Sequence, residues 1–146
     1  MSIHWILAVV FALTTSACSR YYRIAALDAG AGRSVIIIAE RYYENEQAIY
    51  YRVEVNGRTL VPDTYISSID PEAVKHIALR LVSNKSGSIV GVVEEKLPQK
   101  IWVLHNFSNG ETWPRCESGG HEGCEKRGEA LLDELQRDHP EVTFMR

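Results

Sequence analysis

The chain has 146 residues, 45% of them hydrophobic and 24% charged, which leaves room for one ordinary domain with a real core and excludes the charge-rich composition of a disordered chain. Sixteen Lys and Arg stand against nineteen Asp and Glu, a net charge of −3. A nucleic-acid partner needs a positive field to neutralise phosphates; neither the total nor any local stretch supplies one, so that class is excluded.

The first element is an apolar run from Trp5 to Leu13, followed by the small residues Thr14, Thr15, Ser16 and Ala17 and then Cys18. This is the shape of a secretory signal. It is too short for a spanning helix, which needs about 20 apolar residues to cross the hydrocarbon core. Residues 1–17 therefore read as a signal peptide. Thr15-Ser16-Ala17-Cys18 resembles the lipobox of bacterial lipoproteins, in which a peptidase cuts before a Cys that carries a diacylglyceryl group. The resemblance covers the first 18 residues only. It implies that Cys18 becomes the mature amino terminus, with lipid on its sulfur and commonly an acyl chain on its amine, and two chains or more suffice for stable attachment. It implies further an exported protein of the cell envelope, held to a membrane by lipid and facing the periplasm or exterior; Ser19 is similar to residues that permit sorting to an outer membrane. Two other readings stay open: plain secretion after cleavage, and an apolar element in a cytosolic core.

Residues 18–33 read as the lipidated Cys and a short tether, with the small residues Ala29-Gly30-Ala31-Gly32 as a turn, and 34–146 as a single globular domain. Tyr21 and Tyr22, between Arg20 and Arg23, suit a lipid headgroup boundary or the opening of a first strand. Ser34 to Glu40, with three consecutive isoleucines, predicts a buried strand. From Ile49 to Val55 the residues Ile49, Tyr51, Val53 and Val55 alternate with Tyr50, Arg52 and Glu54. Asn56-Gly57 then supplies the two positive-φ positions of a type I′ hairpin turn. Counting outward pairs Val53 with Leu60 and Tyr51 with Pro62, where the second strand is expected to end.

Asp70-Pro71-Glu72 has the order of an N-cap, a first-turn proline and an acid, so a short helical turn is expected over Pro71 to Lys75. His76 then begins a period-two pattern carrying Ile77, Leu79 and Leu81, Asn84 to Gly87 form a turn, and Ile89 to Val93 return as a strand. Leu97-Pro98 breaks that run, and Ile101 to Phe107 makes one more strand, closed by Asn109-Gly110. Glu129 to Asp138 places Leu131, Leu132 and Leu135 on one stripe, an amphipathic helix stopped by Pro140, and Val142 to Met145 adds an edge strand. The expected class is α+β: a twisted antiparallel sheet of five to seven strands with the C-terminal helix packed on it, a small β-sandwich being the alternative.

Three cysteines are an odd count for an exported chain. With Cys18 lipidated, Cys116 and Cys124 remain, with seven residues between them in a glycine-containing loop, and a disulfide between them is expected. Free thiols are one alternative. Another is zinc on Cys116, His121 and Cys124, with His105 or His139 as a fourth ligand, although the spacing lacks the close ligand pairs of structural zinc sites. No G-x-S-x-G elbow, H-E-x-x-H helix, phosphate loop or EF-hand pattern occurs, and Glu94 and Glu95 are adjacent, so on a strand they point to opposite faces. No cofactor is expected beyond the lipid. Trp113-Pro114 beside the cysteine pair makes residues 113–124, with Trp113 and His121, the candidate binding surface. The expected role is a non-catalytic binding or structural module for an envelope macromolecule; a small enzyme or zinc protein centred on the 113–124 loop is the alternative.

Overall fold

The structure, a computed structural model, describes residues 20–43, 45–115 and 120–143. The signal segment and Cys18 lie outside the described residues, as does Cys116. The chain first lays down a meander of four antiparallel strands, β1 (Tyr21–Gly30), β2 (Arg33–Tyr43), β3 (Glu46–Val55) and β4 (Arg58–Ile69), which form sheet A in sequence order. A single helical turn, α1 (Pro71–Val74), leads into sheet B: β5 (Leu79–Ser83), β6 (Ile89–Glu94), β7 (Gln99–Asn106) and β8 (Thr112–Trp113). Helix α2 (Gly120–Gln136) follows, and β9 (Val142–Thr143) ends the described chain, parallel to the start of β7.

The layers follow from which strands are apolar on one face and which on two. On β3, Ile49, Tyr51 and Val53 are fully buried while Tyr50, Arg52 and Glu54 turn the other way. That strand covers a core on one side only. Ile89 to Val93 of β6 are all buried, and so are Ile101 to Leu104 of β7. A strand apolar on both faces needs cover on both, and sheet B has it. Sheet A packs on one face, where Val35, Ile37, Tyr51 and Val53 meet Val90, Val92 and Trp102. Helix α2 packs on the other, where Leu131, Leu132 and Leu135 meet Val82, Ile89, Val93 and Leu104. The order is sheet, sheet, helix.

Two glycines seat the helix. A Cβ on Gly91 of β6 would stand 2.8 Å from a methyl of Leu135, and a Cβ on Gly128 of α2 would stand 2.6 Å from the Trp113 indole. Each missing side chain lets a large one approach the opposing backbone.

Local predictions hold where local chemistry governs them. Asn56 and Gly57 have φ of 50° and 74°, as a type I′ turn requires. The Asp70 side chain accepts a hydrogen bond of 2.7 Å from the Glu72 amide and caps α1.

Five expectations are corrected. The single sheet of five to seven strands is two sheets, of four and five strands, which agrees in outline with the sandwich alternative, with one long helix added. The tether over 18–33 is replaced from Tyr21 by β1, a full strand whose Tyr22, Ile24 and Leu27 pack on the core; Ala29 to Gly32 lie at the β1–β2 hairpin. Val53 pairs with Val61 rather than Leu60, and Tyr51 with Thr64 rather than Pro62, because the β3–β4 register is irregular there; Pro62 sits inside this edge strand at a position with no register partner on β3, the kind of place that tolerates proline. His76 lies in the turn after α1, and the strand begins at Leu79. Helix α2 starts at Gly120 rather than Glu129, so residues 120–124 of the expected loop are helical.

Candidate functional site

Sheet A ends in β4 and sheet B in β8, and the two edges do not join. Between them lies a cleft of about 440 Å³, walled by Tyr65 and Ile66 of β4 on one side and by Trp113, Pro114, His121 and Glu125 on the other. The structure thus brings together both residues singled out from sequence, Trp113 and His121, although not on one loop. Trp113 comes from β8, paired with Leu104 of β7, and His121 from the first turn of α2.

Each wall is held in place by identifiable contacts. Tyr51, fully buried in the core between the sheets, donates its hydroxyl hydrogen bond to the Pro114 carbonyl at 2.7 Å, and Thr112 lies 3.2 Å from the same hydroxyl while bonding the Leu104 carbonyl. From the helix side, Arg127 donates to the Arg115 carbonyl at 2.8 Å. The segment after Trp113 is therefore pinned from both layers. Trp113 itself rests on the bare backbone at Gly128.

Across the cleft, Tyr65 is 51% exposed and stands edge-on to Tyr50, with ring centroids 5.8 Å apart. His121 is largely exposed, and its Nε2 lies 3.4 Å from a Glu125 carboxylate oxygen one helical turn on. Cys124 also lines the cleft, yet is only 2% exposed. The result is a groove with aromatic walls, one imidazole and one carboxylate at its rim, and little else polar. Such a groove suits a partner presenting apolar or planar groups with a few hydrogen-bonding atoms.

The remaining candidates fall elsewhere. His105 is on β7, fully buried between the sheets, with its ring edge-on to Phe107 at 4.5 Å. His139 follows α2 and makes a 2.8 Å hydrogen bond to the Ser83 carbonyl. Neither lines the cleft, so neither completes a zinc set there with His121 and Cys124. Among the described residues no group of three His, Cys, Asp or Glu is placed to hold an ion, and Cys116, the remaining member of the expected set, lies outside them. Among the same residues no helix is long and apolar enough to cross a membrane. Tyr65 is legible in the sequence only as one of several tyrosines, and Ile66 not at all, because they come from β4, about 50 residues upstream of Trp113, and only the meeting of two sheet edges joins them to it.

The seating of the indole predicts its own test. Gly128→Ala is expected to cost about 1–3 kcal/mol, since the added methyl overlaps a ring that is wedged between helix and sheet. Urea unfolding measures it. The same change in a Trp113→Ala background is expected to be nearly neutral, because the clash is then gone.

No protein family matches the chain, and no curated protein or solved structure shows significant similarity to it.

Proposed function

We propose that this chain is an exported protein, cut before Cys18 and anchored in the cell envelope by lipid on that residue, and that it acts as a non-catalytic binding module. Its binding face is the cleft between β4 and α2. The observation that carries the binding role is the convergence of Tyr65, Trp113 and His121, from three separate elements, on one open groove of about 440 Å³. Aromatic rings with polar tips are the side chains that recognise partners at small entropic cost. The apolar run from Trp5 to Leu13 and the lipobox-like Thr15 to Cys18 support the address, and a β1 that begins at Tyr21, soon after Cys18 in the chain, is compatible with a domain held near such an anchor. The partner class is another envelope macromolecule. We infer also that Cys116 and Cys124 are bridged. The burial of Cys124 and an oxidising envelope both favour this.

Intact-mass analysis of membrane-extracted protein tests the address: the mass is expected to begin at Cys18 and to include acyl groups. A product that keeps Met1 and stays in the soluble cytosolic fraction overturns it. Free-thiol counting on the same sample is expected to find none. Stoichiometric zinc by elemental analysis would instead support a small zinc protein or enzyme built on His121, Cys124 and Cys116. For the cleft, His121→Ala is the informative variant, because an exposed side chain contributes little to stability, about 0.5 kcal/mol or less. It is expected to weaken co-purification of the partner by about tenfold at an unchanged unfolding midpoint; an unchanged yield of partner shows that the groove is not the binding face.

A further inference from the structure

We propose a second binding site, for a single acidic sugar unit, on the outer face of sheet A and centred on Arg23. It goes beyond the reading of the cleft, with which it shares no lining residue. Strand alternation puts Ile36 and Ile38 of β2 on the face turned away from sheet B, opposite Val35, Ile37 and Ala39, which enter the core. Register then sets Arg23 of β1 beside Ile38 and Arg52 of β3 beside Ile36. With Tyr21 and Asp63 these side chains bound a depression of about 290 Å³. Its floor is apolar and its rim is phenolic and charged.

Of the charged residues that line it, two are cations, Arg23 and Arg52, and one is an anion, Asp63. Arg52 is committed to Asp63 through two hydrogen bonds, Nε to Oδ1 at 2.6 Å and Nη2 to Oδ2 at 2.9 Å, and lies 3.5 Å from Glu54. Arg20 pairs with Glu40 at 2.9 Å. Glu40 also receives the Tyr50 hydroxyl at 2.9 Å and the Tyr21 hydroxyl, so it is fully engaged. Arg23 is exposed and has no ion-pair or hydrogen-bond partner for its side chain among the described residues. Glu54 offsets the lining's excess charge through Arg52, so what sets Arg23 apart is a guanidinium with no partner among those residues, a planar group whose paired N–H donors match a carboxylate.

A ring carrying one carboxylate fits what remains. The carboxylate meets Arg23, the C–H face of the ring lies on Ile36, Ile38 and the tyrosine rim, and hydroxyls find an acceptor in Asp63 and donors in Arg52. The volume sits at the lower edge of small-molecule sites, roughly 300–1,000 Å³, and so takes one ring. An anionic lipid headgroup also satisfies Arg23, but it makes no use of a recessed apolar floor.

The test is calorimetric titration of the full-length protein in detergent with glucuronic acid, glucose, acetate and, separately, vesicles containing phosphatidylglycerol. Glucuronic acid is expected to bind saturably, glucose and acetate each at least about tenfold more weakly. Arg23→Gln is expected to reduce glucuronic acid affinity by about tenfold without moving the unfolding midpoint, since the side chain is exposed. Arg23→Lys, which keeps charge and loses the fork, is expected to fall between. No saturable binding of glucuronic acid, equal binding of glucose or of acetate, or indifference to Arg23→Gln overturns the proposal. Arg23-dependent vesicle binding without glucuronic acid binding replaces it with a headgroup site. Loss of the site leaves the cleft reading untouched, because His121→Ala is scored on a different partner.

Discussion

Leu135→Ala is expected to destabilise the protein by about 2–5 kcal/mol, a large share of the roughly 5–15 kcal/mol that holds a domain of this kind together. Leu135 is fully buried, and it is the side chain that enters the space over Gly91, at the centre of the packing between α2 and sheet B. Backbone cannot move in to fill a void there, because β6 is held on both sides by β5 and β7. The cavity therefore persists, and its cost adds to the lost burial. The effect reaches the cleft as well, since Trp113 and His121 keep their spacing only while α2 stays docked. Equilibrium urea unfolding measures the loss, and near-ultraviolet circular dichroism, read against a Trp113→Phe reference that isolates this indole from Trp102, reports the cleft. Leu135→Met, close in volume, is expected to cost less than about 1.5 kcal/mol. A loss below about 1 kcal/mol for the alanine variant would show that the helix is not seated on Gly91 as described.

The second large effect is acid lability centred on His105. Its imidazole is fully buried between the sheets, and neither ring nitrogen has a hydrogen-bond partner among the described residues. Burial pushes its pKa down from 6.5 to about 4, because a charged ring there would give up water and gain nothing in exchange. In the unfolded chain the ring takes a proton as pH falls through 6.5; in the folded chain it does not until about 4. Across that window the unfolded state binds more protons, so stability is complete above 6.5 and declines as pH falls, reaching a loss of about 3 kcal/mol below 4. Glu141 adds a second acid-sensitive contribution. Its carboxyl is held below the ordinary value by its own backbone N–H first, then by His139 and Arg80, so its contribution is present above pH 4.5 and is lost beneath that. His105→Leu is expected to flatten the stability profile between pH 6.5 and 4.5 while leaving the more acidic limb in place. Unfolding free energies measured at a series of pH values decide it, and an unchanged slope in that window removes His105 as the cause.

The elements that could be read in advance are those whose cause lies within a few residues. The Asn56-Gly57 turn follows from two residues that tolerate positive φ. The α1 cap follows from a carboxylate two positions before an unpaired amide. The alternation on β3 follows from a half-covered strand. The start of α2 was hidden for the opposite reason. Gly120, Gly123 and Gly128 each disfavour helix by about 1 kcal/mol relative to alanine, so the stretch before Glu129 reads as loop. In the folded protein, packing supplies what propensity lacks: Cys124 is buried and Gly128 lies under Trp113. The glycine that argues against a helix is the one that lets the helix close on its neighbour.

The candidate site divides the same way. Trp113 and His121 are legible as an aromatic and an imidazole near a cysteine pair, while Tyr65 and the Arg23 depression depend on strand register across sheet A, which two shifts in the β1–β2 pairing and three in the β3–β4 pairing move away from simple counting.

Neighbouring residues were enough to read the apolar run from Trp5 to Leu13, the hairpin at Asn56-Gly57, the capped turn at Asp70, the strands of the second half and the stripe of leucines on the last helix, because each is written within a few positions of chain. Tertiary structure alone decided that β4 and β5 part into two sheets, that β6 and β7 become the middle layer, and that a groove opens where β4 and α2 face each other. Those outcomes depend on burying two apolar faces of one sheet at once, and that is a property of the assembled layers rather than of any segment within them.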